Sequence, residues 1–302
     1  MDRCFKDGQI PCRWISGLEN LYGSPIFNYL PPLPYYFGGL VFSITQSLTV
    51  AVKVVLLWGL VVGYIITYLL TKKLLGSLKA NLAAIFYIPI SLLAIFYSYE
   101  KVGLIWGLMF FPLVILSLNL LLQKKRLQNF LFFSISLSLL ILSTEAAPLF
   151  ISLITVWIFF KCIRIKDFTF FIPGLSAVLL AFLLSSFYIF PSILERNLVY
   201  SVSSNDPLRY LPKSAAEKPQ EVTDSKYQIL AGDSDVFDFK QGTNWLGFYT
   251  DTRSHTIIRL SQFYFPQWKM FIDGKETQVE YKNNSLGLMT IILGEGKHTI
   301  EG

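Results

Sequence analysis

The feature that most limits what this chain can fold into is a series of apolar segments between Gln46 and Phe190, several of them about 18 residues or longer. In hydrocarbon a backbone has to satisfy its own hydrogen bonds, and a helix does so within a single segment. The chain therefore reads as a polytopic α-helical membrane protein. Composition agrees: 53% of the 302 residues are hydrophobic, only 15% are charged, and mean hydropathy is +0.50. A soluble domain carries about 25% charged residues. These values exclude disordered, collagen-like and disulfide-scaffold classes. They also exclude a soluble nucleic-acid binder, despite a net charge of +6.

About six spans are predicted, at 47–71, 79–97, 102–123, 127–143, 147–163 and 168–190. Lys72, Lys73 and Lys79 follow the first, Lys124, Lys125 and Arg126 the third, and Lys161, Arg164 and Lys166 the fifth. The intervening loops, Tyr99-Glu100-Lys101 and Thr144-Glu145-Ala146-Ala147, carry no basic excess. Positive charge marks the cytoplasmic side of short loops, so residues 1–46 and 195–302 are expected outside, on a multi-pass plasma-membrane protein. Lys53, just inside the first span, can snorkel to the outer interface. Met1 opens directly into a polar, charged segment, so a further span upstream of Met1 is the expected export route.

Three regions follow: an extracytoplasmic loop with an interfacial helix (1–46), a transmembrane helical domain (47–194) and an extracytoplasmic β-rich domain (195–302). Charge divides with them. Residues 1–194 hold 14 Lys+Arg against 6 Asp+Glu, whereas residues 195–302 hold 12 against 14. In the first region the prolines of Tyr22–Tyr36 break helices, while its tyrosines and phenylalanines suit a membrane–water interface. Tyr35–Thr45 is predicted as a helix on the outer surface.

In the last region the hydrophobic period changes to two. Strands are predicted at 227–231, 236–239, 245–249 and 255–263. Asp273-Gly274 is a type I′ hairpin signal between 268–272 and 277–281. Residues 286–293 and 297–300 read as another strand pair, joined by Gly294-Glu295-Gly296. Short strands with regular turn signals predict a small β-sandwich. The Ser-, Pro- and charge-rich stretch 201–225 reads as a connection.

Chemistry-bearing residues are few. His255 and His298 are the two histidines, no set shows metal-ligand spacing, and no Walker, GxGxxG or GxSxG motif occurs. No cofactor is predicted. Cys4 and Cys12 share the outer segment, either as a disulfide or as two free thiols. Acidic residues of the first 194 positions are Asp2, Asp7, Glu19, Glu100, Glu145 and Asp167, all but the last on the predicted outer face. A carboxylate there can act as general base toward an acceptor hydroxyl, with Arg13 gripping a lipid-linked phosphate through its planar fork. Asp7 and Glu145 are the candidate catalytic carboxylates. Trp14, Tyr22, Asn28, Tyr29, Tyr35 and Tyr36 are the candidate lining of a lipid or sugar groove. A transporter is disfavoured, since no predicted span holds a buried charge pair and no inverted repeat is evident.

Three stretches carry a resemblance: Asp7-Gly8-Gln9-Ile10-Pro11-Cys12-Arg13-Trp14, then Tyr22–Tyr29, then Pro31–Tyr36. They resemble bacterial and archaeal membrane proteins labelled 6-pyruvoyl-tetrahydropterin synthase-related, relatives of YfhO-like proteins and of the GT-C glycosyltransferase superfamily. Phe187–Arg196 resembles the end of a late span in that family, and Phe265–Lys269 with Asp273–Glu276 its outer β domain. The pterin part of the label implies nothing here, because that chemistry uses a three-histidine zinc site and this chain has two histidines. The resemblance implies a GT-C-like glycosyltransferase that moves a sugar from a polyprenyl-phosphate donor to a glycan or other envelope acceptor. It also implies a first-loop Asp as base; Asp7 is the nearest match, with the family's own position expected upstream of Met1. A closing span after the β domain is likewise expected beyond Gly302. The competing expectation is a non-enzymatic membrane protein whose β domain binds glycan or cell-wall polymer.

Overall fold

The computed structural model describes residues 1–19, 21–97, 102–165, 171–200, 210–215 and 225–302. Tyr99-Glu100-Lys101, Lys166, Asp167 and most of the connection at 201–225 lie outside the described residues. The chain divides into two compact units. One comprises Met1–Asp2 with Leu30–Phe190; the other comprises Arg3–Tyr29 with Pro191–Gly302.

The first unit is helical. Its elements are α2 (Leu33–Thr45), α3 (Leu48–Leu75), α4 (Ser77–Tyr97), α5 (Val102–Gln123), α6 (Leu127–Ser143), α7 (Ala147–Ile165) and α8 (Phe171–Leu184), which leads into α9 (Ser186–Leu194). A short α1 (Asp2–Lys6) precedes them. Pro34 sits in the first turn of α2, where its missing N–H removes no helical bond. Ser47 caps α3 by accepting the Val50 N–H at 3.4 Å, and Gly76 ends the helix at φ 91°. Lys72 and Lys73 occupy the last turn of α3, where they oppose the helix dipole.

Helices lie where apolar periodicity predicts them, but among the described residues three are long and apolar enough to cross a membrane: α3, the Ser77–Ala94 part of α4, and α5. The α6 helix has 17 residues, a rise of roughly 25 Å against a hydrocarbon core of about 30 Å. The last predicted span divides into α8 and α9, which meet at 73° and are long enough to cross only as a pair. Ser185 stands at that break and shares a 2.8 Å hydrogen bond with Ser138 of α6.

The core of this unit runs through Trp106, Met109, Val114, Leu118 and Leu121 of α5, Phe133, Leu137 and Leu140 of α6, and Ala177 and Ala181 of α8. Small residues four apart let helices approach. Gly59 of α3 faces Ile105, and Gly103 of α5 faces the Ser143 carbonyl oxygen, which would lie 2.7 Å from an added Cβ. Gly107 faces Thr144 at the same distance. Polar groups are satisfied at these contacts: Trp106 Nε1 donates to Val55 O and the Tyr87 hydroxyl donates to Gly59 O, each at 3.1 Å. Leu57, Val61, Ile65 and Leu69 of α3, and Leu82, Ile85 and Phe86 of α4, are exposed, as lipid-facing side chains would be.

The described residues of the second unit form eight antiparallel strands: β1 (Tyr227–Ala231), β2 (Ser234–Gln241), β3 (Leu246–Thr252), β4 (Thr256–Phe263), β5 (Met270–Ile272), β6 (Lys275–Thr277), β7 (Leu288–Leu293) and β8 (Gly296–Glu301). They form two sheets, ordered β1-β4-β7 and β2-β3-β8-β5-β6. Alternating residues of both sheets, among them Phe248, Ile258, Leu260, Met289, Ile291 and Ile300, make one apolar cluster. The β5–β6 hairpin turns on Asp273-Gly274, with φ of 51° and 75°, as a type I′ turn requires. One expected pairing is corrected. The strands at 286–293 and 297–300 exist but do not pair with each other; β7 pairs with β4, and β8 pairs with β3 and β5. Alternation identifies a buried face, and it leaves the hydrogen-bonding neighbour undetermined.

The tight glycine contact makes a testable demand. Gly103→Val drives a branched side chain against the Ser143 carbonyl and is expected to destabilise the helical unit by about 1–3 kcal/mol. Val61→Ala, at an exposed position, is expected to change stability far less. Thermal unfolding of both variants in lipid nanodiscs checks this.

Candidate functional site

The second unit contains a cleft of about 500 Å³, walled on one side by residues 8–11, Arg13, Trp14, Pro25 and Asn28, and on the other by Asn244, Phe265, residues 267–269, Phe271 and Gly302. Everything in the wall belongs to this one unit. The N-terminal segment reaches it through a fold of its own. Cys4 and Cys12 are joined as a disulfide, which resolves the alternative left open by the sequence. Ile15 and Ser24 exchange two backbone hydrogen bonds at 3.0 Å, closing the loop between them. Gly23 sits under the Trp14 indole at φ 91°; a Cβ there would lie 2.7 Å from the ring, so neither the backbone nor the space admits a side chain.

Three sets of contacts tie this segment to the β strands. Phe263 N donates to Tyr22 O at 3.0 Å, and the two rings pack at 5.5 Å. Trp14, 5% exposed, meets Phe265 at 5.9 Å and Trp268 edge-on at 6.0 Å. Asp7 Oδ2 accepts the Thr243 N–H at 2.7 Å.

The fourth tie is a carboxylate that the sequence reading did not single out. Asn28 Nδ2 donates to Glu195 Oε2 at 2.6 Å, Gln267 Nε2 donates to Glu195 Oε1, and the Tyr29 hydroxyl donates to the Glu195 carbonyl at 2.8 Å. Glu195 thus holds two carboxamides that line the cleft. Tyr29 also stacks on Tyr210 at 5.7 Å. Burial, reinforced by the nearby Glu195 charge, pushes the Tyr29 phenol well above its ordinary value.

The wall combines rings (Trp14, Phe265, Trp268, Phe271), carboxamides (Gln9, Asn28, Asn244, Gln267) and two cations, Arg13 and Lys269. No Asp or Glu is among the lining residues. Lys269 Nζ lies 3.3 Å from Glu276 in an exposed pair, a contact of small worth. Gln9 Oε1, Trp14 Nε1 and Asn28 Oδ1 are shielded from solvent and have no hydrogen-bond partner among the described residues. Among the described residues no group of three His, Cys, Asp or Glu is arranged to hold a metal.

Of the residues singled out from sequence, Arg13, Trp14 and Asn28 line the cleft. Asp7, Tyr22 and Tyr29 belong to the same unit and act in its framework through the contacts above. Glu145, Tyr35 and Tyr36 belong to the helical unit: Glu145 is exposed in the turn between α6 and α7, and the tyrosines lie in the first turn of α2. Gln267 and Lys269 fall in the Phe265–Lys269 stretch, and Glu195 is the penultimate residue of the Phe187–Arg196 stretch, so each lay inside a recognisable segment without a role attached.

Residues 27–212 match the family model of the 6-pyruvoyl-tetrahydropterin synthase-related domain, a membrane protein family. The chain belongs to this family. The match spans more than half of its length and includes Asn28, Tyr29, Glu195 and Tyr210. No curated protein and no solved structure matches the chain.

The Tyr29 environment predicts an alkaline limit. A phenol whose folded pKa is raised contributes stability that is complete below the unfolded value near 10 and is lost as pH rises above it. Unfolding midpoints measured across pH 9 to about 12 should fall with pH in the wild type. Tyr29→Phe should be less stable at neutral pH and show a shallower fall.

Proposed function

We propose that this family member is a membrane-anchored saccharide-binding protein of the cell envelope, with the helical unit as anchor and the cleft of the β-containing unit as the binding site. The observation that carries this reading is the chemistry of the wall: aromatic rings beside four carboxamides, with no carboxylate. Ring faces pack against sugar C–H groups, while carboxamides offer both donors and acceptors to hydroxyls. A mainly apolar cleft with a few fixed polar groups is the general form of a small-ligand site.

An outward-facing cleft is supported by two arguments. The Cys4–Cys12 disulfide suits an oxidising compartment outside the cytoplasm. The basic groups after α3 and α5 suit the cytoplasmic side. The composition of the second unit bears on span number as well. It joins Arg3–Tyr29 to Pro191–Gly302, so both segments need to be on one side of the bilayer, and the helices between them need to cross an even number of times. Three crossings do not meet that need; four do, with the bent α8–α9 pair as the additional span, and so do six, with α6 and α7 as well.

A second reading, sugar transfer from a polyprenyl-phosphate donor, is favoured by the position of Arg13 in the same cleft. It assigns Arg13 to the donor phosphate and a carboxylate, Asp7 or Glu145, to proton removal. Turnover of a labelled lipid-linked sugar that is lost in Asp7→Asn or Glu145→Gln would promote this reading over binding alone.

Binding is tested with the full chain in lipid nanodiscs, since glycoside detergents would compete. Calorimetric titration with a panel of oligosaccharides should find ligands, and Trp268→Ala should weaken them about tenfold or more, equivalent to about 1.4 kcal/mol. Asn244→Ala, at an exposed lining position, should weaken them less while leaving the unfolding temperature in place. Absence of binding by any saccharide in the wild type would reject the reading.

A further inference from the structure

The turn that leads into β7 is held from within. Glu280 and Thr290 exchange two backbone hydrogen bonds, at 3.0 and 2.7 Å. Between them Asn284 is the organising side chain. Its Nδ2 donates to Tyr281 O at 3.3 Å and to Leu288 O at 3.1 Å, and its Oδ1 accepts the Leu288 N–H at 2.8 Å. The ends of the turn pack on the rest of the unit. Tyr281 stacks on Tyr264 at 4.1 Å, Tyr264 N donates to Gly287 O at 3.0 Å, and a Cβ on Gly287 would collide with the Ser214 carbonyl. Lys282, Asn283 and Ser285 are exposed. Neither the Asn283 nor the Ser285 side chain has a hydrogen-bond partner among the described residues.

Asn283-Asn284-Ser285 is the one Asn-x-Ser/Thr triplet in the 302 residues, the acceptor pattern for N-linked glycans. Such a triplet arises readily by chance, so its placement decides its meaning. A glycan is bulky and hydrated, and a folded chain carries one where the acceptor amide is at the surface and has no structural duty. In this turn the duty falls on the middle residue, Asn284. The two groups that the modification needs, the Asn283 amide and the Ser285 hydroxyl, are exposed and uncommitted. The turn also belongs to the unit that the Cys4–Cys12 disulfide and the basic loops after α3 and α5 favour as extracytoplasmic. Residues 281–287 take no part in the cleft wall, so a glycan on Asn283 does not use the residues that would receive a ligand.

We propose that Asn283 is an N-glycosylation site, modified by a membrane oligosaccharyltransferase from a polyprenyl-phosphate- or polyprenyl-pyrophosphate-linked oligosaccharide. Asn283 Nδ2 forms a bond to the anomeric carbon of the first sugar. The bond from that carbon to the lipid phosphate oxygen breaks, its electron pair leaves on the phosphate, and one amide proton passes to a base of the transferase. The proposal goes beyond the saccharide-binding reading and does not rest on it. It rests on the outward placement of the second unit.

The test takes the full chain from the membranes of the cells that make it naturally. A membrane-impermeant amine label, applied to the intact cells and read at the exposed Lys282, reports the side of the turn independently. By mass spectrometry the peptide bearing Asn283 should carry the added mass of an oligosaccharide and release sugar fragment ions. Asn283→Gln and Ser285→Ala should each abolish that mass, and Ser285→Thr should keep it. Asn284→Ala retains the triplet and removes three hydrogen bonds of the turn. It should lower the unfolding midpoint and keep the glycan, which separates the acceptor from the turn that presents it. A peptide found at its bare mass alone, with Lys282 labelled, would overturn the proposal and leave the outward placement standing. Bare mass with Lys282 unlabelled would bring down both. A glycan that persists in Asn283→Gln would overturn the assignment to this residue.

Discussion

The second unit depends on one carboxylate. Glu195 receives Asn28 from 167 positions earlier and Gln267 from 72 positions later, and its backbone carbonyl receives Tyr29. Charge-assisted bonds of this kind are stronger than neutral ones, and they join three segments that share no regular secondary structure. Remove the carboxylate and two carboxamides of the cleft wall lose their orientation together. The rings of Trp14, Phe265 and Trp268 supply apolar contact, but rings can slide; the bonds to Glu195 fix the register of the N-terminal loop against the loop after β4.

In the helical unit the governing constraint is polar satisfaction away from water. Its answer is visible where α4 and α5 meet α3. The indole of Trp106 and the hydroxyl of Tyr87 donate to carbonyls of α3, near Gly59, where the absence of a side chain brings the helices together. On α6, Ser134 and Ser136 return their hydroxyls to carbonyls one turn back, whereas Ser138 bonds outward to Ser185. That last contact coincides with the bend between α8 and α9. Ser185 thus has a partner at the point where the helix ladder is interrupted, which is how a break is tolerated among packed helices.

How much of this is legible in the sequence follows from the range of each signal. Helices are encoded locally, in runs of apolar residues and in turn signals such as Gly76, so their positions emerge within a few residues. Whether a given helix spans is another matter: α6 is predominantly apolar but only 17 residues long, and composition alone does not decide it. Strands behave likewise. The Asp273-Gly274 turn names its own hairpin because both partners are adjacent in sequence. The pairings of β7 with β4 and of β8 with β3 and β5 are set by burial in a shared core, and alternation alone carries no information about them. The membership of residues 3–29 in the β-containing unit has no local signature at all, since it arises from contacts with residues more than 160 positions away.

The site was legible in the same proportion. Arg13 was singled out as a phosphate-gripping cation and Trp14 and Asn28 as groove-lining residues, and all three line the cleft. Glu195 did not stand out, because an acidic residue just past a helix is ordinary until its partners are known. Asp7 illustrates the converse. As a scarce carboxylate it invited a chemical role, while its Oδ2 accepts the Thr243 N–H and anchors the segment that carries Arg13. A carboxylate spent on a backbone donor has one lone-pair direction fewer for a substrate, though its second oxygen remains.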